Sequence, residues 1–303
     1  MASANDTTPS NTTILSPIAI VGGRGAMGSW LTSMLSGYGL TVHQIDQGTP
    51  EKERIAALQN ASAVLFSVPI CSTVRIINET LPMVAPKALL IDITSLKAAP
   101  VAAMLQHSGE VLGLHPMCAP NEAGLTNQPV VVCAQRRGPK SESAIAMLRD
   151  LGAIIVEMNP DRHDRIMAVV QGLNHFYSIV FAHALKEIGV TVEETLEVAS
   201  PVYALRMQLM GRILSQDPAL YADIEIENPY VPEMLESYAK SMHIFKEAIE
   251  SRSRDKCIQF FSEAADTLGA YRVTALHATE ALLSAGLISS GKNQRSYQAK
   301  PIK

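Results

Sequence analysis

The chain has 303 residues, of which 47% are hydrophobic and 18% charged, and a formal net charge of −4. That length can bury a sizeable core and hold two domains, while the slight acidity offers no affinity for nucleic acid or for anionic membranes. The four cysteines, Cys71, Cys118, Cys133 and Cys257, show neither CxxC pairing nor zinc spacing, so no metal is expected, and the thiols should be free, buried or half-buried, in a reducing cytoplasmic compartment.

Residues 1–16 are rich in Ser, Thr and Asn and lack a basic segment followed by an apolar one, which predicts a disordered tail rather than a signal peptide. No apolar run approaches the length of a membrane span. A short apolar strand, Ile18–Val21, then runs into glycines spaced G-x-G-x-x-G at Gly23, Gly25 and Gly28, and Ser29-Trp30-Leu31 opens a helical pattern. The three glycines have distinct expected roles. Gly23 turns the chain, Gly25 lets the backbone approach a pyrophosphate, and Gly28 lets helix and strand pack closely. The stretch Gly23-Arg24-Gly25-Ala26-Met27-Gly28 would therefore cradle phosphates at a helix N-terminus, where free N–H groups and the positive end of the dipole favour an anion.

The next β-rich run, Leu40 to Ile45, delivers Asp46. An acid there accepts from both ribose hydroxyls and repels a 2′-phosphate, so NAD is expected over NADP. A plain turn residue ahead of Gly48 and Pro50 is the alternative, and Arg24 offers a nearby phosphate contact. Ala63 to Val68, Ala88 to Ile93, Val111 to Leu114, Val130 to Cys133 and Ala153 to Val156 add further strands between helical patterns. Repeated βα units predict an α/β fold, a doubly wound Rossmann-type parallel sheet over residues 17–158. The loops Ser67-Val68-Pro69, Thr94-Ser95-Leu96-Lys97 and His115-Pro116-Met117 then share one crevice at the carboxyl ends of the strands.

From Asn159-Pro160-Asp161 onward the pattern is helical, with breaks at Pro201, Asp217-Pro218 and Pro229 to Pro232. Residues 159–303 are expected to form a second, all-helical domain, in long stretches Asp164 to Glu187, Val192 to Leu214, Pro232 to Ser251 and Asp255 to Ala285. Their apolar faces suggest packing on another subunit.

His115, at the end of a strand in a nucleotide fold, suits proton abstraction from a hydroxyl as hydride leaves the same carbon. Ser95 follows the preceding strand and is placed to reach His115 and the nicotinamide, or to cap a helix; both roles are compatible. Lys97 reads as a solvated helix lysine, or else as a partner for an anion. His163, Gln171, Asn174 and His175 fall on roughly one face of a helix spanning Asp161 to Tyr177, a polar stripe suited to a substrate wall; a structural histidine in a domain interface is the alternative for His163. Arg206 and Arg212 lie on an apolar helix and need anions, either a substrate carboxylate or Asp217 and Asp223.

These residues sit in a longer pattern. From about Pro17 to at least Glu280 the chain resembles the prephenate dehydrogenases, in the form fused to chorismate mutase in enterobacteria. The matching segments are Ile20-Val-Gly-Gly-x-Gly-x-Met-Gly28, Ser67-Val-Pro-Ile70, Leu112-Gly-Leu-His-Pro-Met117, His163-Asp164, Ser200-Pro201, Gly211-Arg-Ile-Leu-Ser-Gln-Asp-Pro218 and Leu220-Tyr-Ala-Asp-Ile224. The resemblance implies a stand-alone NAD-dependent dehydrogenase and a homodimer formed through the helical domain. In it, His115 is the catalytic base at the C4 substituent of a cyclohexadiene, Ser95 supports His115 and the nicotinamide, and Arg212 is a substrate-site cation.

Two departures bear on the substrate. Gln171-Gly-Leu-Asn-His-Phe176 carries Asn174 where the enterobacterial pattern has an arginine for a substrate carboxylate, and Tyr203-Ala-Leu-Arg206 brings a new arginine about one turn from Arg212. The loop after His115 is also changed, to Cys118-Ala-Pro-Asn-Glu122. Prephenate is therefore the expected substrate if Arg206 replaces the missing cation, and 4-amino-4-deoxyprephenate, with its lower net charge, the alternative, with Glu122 sharing the deprotonation. A dehydrogenase for small β-hydroxyacids would carry a lysine on the first helix of the helical domain, and none precedes Lys186; a non-catalytic NAD-binding regulator has no use for both Ser95 and His115.

Overall fold

The computed structural model describes residues 14–285. Packing divides them into two compact units: one runs to Val170 and includes Ala222–Tyr230, and the other comprises Gln171–Tyr221 and the chain from Val231 onward. Residues 159–170 and 222–230 thus pack with the sheet, whereas the sequence suggests a change of domain at 158/159.

The first unit is built on seven strands, β1 (Ile18–Val21), β2 (Val42–Ile45), β3 (Ala63–Phe66), β4 (Leu89–Asp92), β5 (Val111–Pro116), β6 (Pro129–Arg136) and β7 (Ile154–Glu157), in the order β2-β1-β3-β4-β5-β6-β7. Only β5 and β6 pair antiparallel. In β1, β3 and β4 all four residues are buried, as strands covered on both faces must be. Their side chains alternate between two layers. Ile18, Ile20, Leu65, Ile91, Leu112 and Leu114 join one core with α1 (Ala26–Gly37). Ala19, Val21, Val64, Phe66, Leu90 and Val111 join the other. That second layer is closed by α2 (Glu51–Asn60), α3 (Thr73–Thr80) and α4 (Ala98–Met104), through Leu58, Ile77 and Met104. Helix α5 (Pro139–Asp150) completes the first layer through Ala144, Ile145 and Leu148.

The disordered tail expected to Ser16 is shorter within the described residues. Leu15 is fully buried in the first core, and the Ser16 hydroxyl accepts the Thr41 N–H at 3.1 Å; residues 1–13 lie outside the described residues. The strand order reverses at β1, which has β2 on one side and β3 on the other, so the loops after β1 and β3 flank the point where ligands enter such sheets.

In the rest of the chain α6 (Pro160–Met167), capped by the Asn159 side chain, leads into a π-helical segment over Ala168–Leu173. The helical unit then holds α7 (Asn174–Ile188), α8 (Val192–Glu197), α9 (Pro201–Leu214), α11 (Val231–Glu250), α12 (Arg254–Leu268) and α13 (Tyr271–Ser284), while α10 (Pro218–Glu227) crosses between the two units. The break expected at Pro201 is present, where Ser200-Pro201 starts a new helix capped by the Ser200 hydroxyl. Two other long stretches are broken without such a signal: the π segment divides the first, and Gly269, at φ +53°, ends α12. Among the described residues no helix is long and apolar enough to cross a membrane.

The glycine that turns the chain after β1 is Gly22, at φ +81°, rather than Gly23. A Cβ on Gly22 would stand 2.1 Å from the Ser67 carbonyl oxygen, and one on Gly28 would stand 2.2 Å from the Gly22 carbonyl oxygen. Gly22→Ala combines that overlap with a left-handed backbone, and is expected to cost about 2 kcal/mol or more in chemical denaturation. A loss under about 0.5 kcal/mol would mean that the loop relaxes freely.

Candidate active site

The loops after β1, β2 and β3 enclose a cavity of about 580 Å³ lined by Gly22, Gly25, Asp46, Ser67, Val68 and Pro69, with Arg54 and Arg75 on its far walls. A Cβ on Gly25 would meet nothing closer than 3.4 Å, so this glycine leaves the cradle open, as an approaching pyrophosphate needs. Asp46 accepts the Arg24 backbone N–H at 2.9 Å, which ties the carboxylate to the glycine loop. It also occupies a turn, its own N–H donating to the Thr49 hydroxyl, so both readings of Asp46 hold. Glycines that a side chain would block, an open cradle and an acid at the end of β2 fit a dinucleotide with free ribose hydroxyls.

His115 lies at the end of β5 with 5% of its surface exposed. Its Nδ1 is 2.9 Å from Nε2 of His163, whose Nδ1 is 2.7 Å from Oδ1 of Asp164. Asp164 is held in turn by backbone N–H groups at the start of α4: Lys97 donates to Oδ1 at 2.8 Å and Ala98 to Oδ2 at 2.9 Å. The Asn228 side chain donates to the Asp164 carbonyl at 2.9 Å. With a carboxylate accepting at one end and one proton on each ring, His163 carries its hydrogen on Nδ1 and His115 carries its own on Nδ1. Nε2 of His115 is left with a free lone pair. Burial, then the Lys97 charge, then His163 hold His115 well below the ordinary histidine value, so at neutral pH the ring is an unprotonated base.

The sequence places Ser95 on His115, but the structure gives that contact to His163. Ser95 is half-buried in the same loop, and it does not cap α4 either: the N-cap residue is Lys97, and the anion at the helix start is Asp164. Nor is Lys97 a solvated lysine. It is fully buried, its Nζ bonded to Asp92 and to the Leu114 carbonyl. The polar stripe is also revised: a π-helical segment interrupts the run between His163 and His175, and the two residues pack in different units. His163 belongs to the sheet unit. His175, in the helical unit, is buried and packs on Tyr221 with ring centroids 4.4 Å apart, and burial lowers its basicity. Gln171 is half-buried and Asn174 exposed. Arg206 lies over the Tyr177 ring at 5.5 Å rather than against Asp217 or Asp223, and Arg212 is exposed. Asp223 accepts the Cys71 N–H at 3.3 Å, and Cys71 is exposed where a buried or half-buried thiol is expected.

Asp92 and Asn228 escape a reading of the sequence, and nothing local decides between a solvated Lys97 and one paired with an anion, as it is with Asp92. Asp164 is visible only as half of the matched His163-Asp164 pair. Glu122 is exposed on the loop after His115, which the Trp30 indole fastens by donating to the Asn121 carbonyl at 3.0 Å. Among the described residues no cluster of His, Cys, Asp and Glu could hold a metal ion.

A glycine cradle at the switch point of a doubly wound sheet, with an acid–base imidazole at the end of another strand of that sheet, is the construction of a Rossmann-type dehydrogenase. The chain belongs to the prephenate dehydrogenase family: residues 39–157 match its nucleotide-binding domain and residues 159–263 its dimerization domain. It is 34% identical over 271 residues to a probable arogenate/prephenate dehydrogenase of Methanocaldococcus jannaschii, covering 83% of this chain and 61% of that protein. With the T-protein of Enterobacter agglomerans it shares 38% over 212 residues, 69% of this chain and 56% of the relative; the chain thus spans less than two thirds of both proteins. A 4-amino-4-deoxyprephenate dehydrogenase of Streptomyces pristinaespiralis is 27% identical, with 82% and 90% of the two chains covered. The crystal structure of prephenate dehydrogenase from A. aeolicus in complex with hydroxyphenyl propionate and NAD+ has the same fold, with a TM-score of 0.63 at 20% identity over 82% of this chain and 96% of that one.

The relay makes His115 readable by NMR. In ¹⁵N-labelled protein its hydrogen should reside on Nδ1 and its titration midpoint should fall below 6.5. Asp164→Asn, which can turn a donor toward His163, should mix the two tautomers of His115. A wild-type ring protonated on Nε2 at neutral pH would refute the relay.

Proposed function

We propose that the chain oxidises and decarboxylates prephenate to 4-hydroxyphenylpyruvate, with NAD as the hydride acceptor. The observation that carries this reading is the His115–His163–Asp164 chain of contacts at the end of β5, which engages Nδ1 of His115 and leaves Nε2 to act as the base. That nitrogen takes the proton of the C4 hydroxyl as hydride leaves C4. The bond from C1 to its carboxylate then breaks, carbon dioxide departs, its electron pair completes the aromatic ring, and the proton returns from His115 to the phenolate oxygen. Asp164 steadies the positive charge that the two imidazoles share while the proton is held. Aromatisation drives the reaction, so the protein's work is to orient the ring and to move one proton. NAD supplies the two-electron sink, with Gly23 to Gly28, Asp46 and Ser67 to Pro69 as its proposed contacts. The proposed partners of the substrate are Arg206 and Arg212 for its carboxylates, with Gln171, Asn174 and His175, and Ser95 for the nicotinamide side.

The second reading is 4-amino-4-deoxyprephenate, giving 4-aminophenylpyruvate. It is favoured by Asn174, which removes a cation expected for a dianion, and by the Streptomyces relative that carries that activity in its name. The electrostatics of His115 favour prephenate. The C4 hydroxyl of prephenate is neutral, whereas a C4 ammonium would bring a second cation close to the buried Lys97 ammonium, whose charge already disfavours a positive His115.

The helical unit supports a homodimer. Val202, Leu209, Phe261, Val273 and Leu276 are each more than half exposed on its helices, an excess of apolar surface that a second copy would cover. Sedimentation at micromolar concentration should give a dimer mass, and a monomer would overturn this assignment.

Purified protein with NAD should reduce the nicotinamide faster with prephenate than with the 4-amino analogue, on comparing kcat/KM. His115→Ala should lower kcat about 10²-fold or more while NAD affinity is kept. Preference for the amine would install the second reading, and turnover surviving His115→Ala would remove the base assigned here.

A further inference from the structure

Beneath His115 lies a buried ion pair that the proton transfer itself does not use. Lys97 and Asp92 are both 0% exposed. Lys97 Nζ donates to Asp92 Oδ1 and, at 2.7 Å, to the Leu114 carbonyl. The same carboxylate oxygen receives the Thr94 N–H at 3.1 Å and the Thr94 hydroxyl at 2.8 Å. A buried ion pair is a weak source of stability, since desolvation offsets its attraction and apolar residues of like volume often do as well. Its location suggests another use.

Asp92 pairs with Gly113 across β4 and β5, and alternation along β5 puts Gly113 and His115 on one face. A Cβ on Gly113 would stand 2.8 Å from Val101 Cγ2, 3.1 Å from Lys97 Cδ and 3.3 Å from Asp92 Oδ2, so the bare glycine makes room for Val101 and for the lysine stem that crosses the strand. The ammonium ends on the peptide that joins Leu114 to His115. The backbone N–H of the same lysine holds Asp164, the far end of the relay. One residue thus grips His115 from two sides: through the peptide that carries it and through the chain of bonds that orients its ring.

We infer that Lys97 is a positioning residue for His115, its ammonium locking the peptide that carries the imidazole and opposing a second positive charge there. This rests on His115 being the reaction's base. The charged and titratable groups facing the ring are Lys97 from the loop before α4, Asp92 from β4, and His163 and Asp164 from α6. Cys133 on β6 has its thiol pushed up to about 12, chiefly by burial, and stays uncharged. Burial, the largest influence on each member of the pair, pushes Asp92 up and Lys97 down, and their mutual attraction opposes both shifts.

Lys97→Met keeps the stem and removes the ammonium. Burial then favours the protonated Asp92, a neutral state that the double variant Lys97→Met/Asp92→Asn reproduces without an unpaired buried acid. The His115 Cε1–H resonance, assigned through His115→Gln, should titrate at least about half a unit higher in either variant than in the wild type. The kcat should fall about tenfold to a hundredfold, with KM for NAD changed by less than about threefold. Gly113→Ala, which crowds Val101 and the lysine stem but keeps the charge, should lower kcat with a smaller change in the midpoint. An unmoved midpoint in the folded double variant overturns the electrostatic role, and a kcat within about threefold of wild type in both the double variant and Gly113→Ala overturns the positioning role. The midpoint needs no substrate. A chain that turned over neither cyclohexadiene but showed the shift would therefore refute the proposed reaction and leave Lys97's hold on His115 standing.

Discussion

The candidate site depends on a helix that begins without a cap of its own. The first backbone N–H groups of any helix have no partner within it, and at α4 the N-cap residue is a lysine whose side chain turns away into the core. The missing acceptor comes from 67 positions further along the chain, where Asp164 on α6 takes the N–H groups of Lys97 and Ala98. An anion at a helix start is favourable on both hydrogen-bond and dipole grounds. This one has an oxygen that also meets His163, so the bond that finishes α4 also fixes the tautomer of His163, and through it that of His115. Stability of the helix start and orientation of the base are one interaction.

The same economy holds at the cofactor cradle. Gly22 and Gly28 are small because the Ser67 carbonyl and the glycine loop's own backbone fill the space where side chains would stand. The cradle is thus braced by β3 behind it, and Asp46 braces it in front by accepting the Arg24 N–H. A loop held on both sides presents its free N–H groups without having to order itself when an anion arrives, which reduces the entropic cost of binding.

Much of this was legible in the sequence because buried parallel strands and glycine-rich turns leave strong local signals. All seven strands could be read from short apolar runs, and the order of their loops put His115 and Asp46 at the correct ends of the sheet. What local pattern cannot register is a side chain whose environment is assembled from distant parts. Lys97 stands in a polar loop and reads as solvated, yet Gly113 opens a path for it and Asp92 and the Leu114 carbonyl receive it. Ser95 reads as the partner of His115 because it follows the preceding strand, at the same end of the sheet. The partner is His163 because α6 packs with the sheet, although the composition turns helical at residue 159.

The helix-face argument for His163 and His175 fails for a definable reason. Twelve residues at 3.6 per turn make roughly three and a third turns, so even an unbroken α-helix sets the two side chains about a third of a turn apart. Six residues in π-helical conformation intervene, and each wider turn rotates the following helix relative to the one before. No residue in Ala168–Leu173 announces this: Gly172 is compatible with it, but a lone glycine in a helical pattern is tolerated in α-helices as well. The interruption separates two environments. Before it, His163 is sealed in the sheet unit as a link in a relay; after it, His175 packs on an aromatic ring in the helical unit. The π segment therefore allows neighbouring stretches of one helical run to serve two separately packed structures.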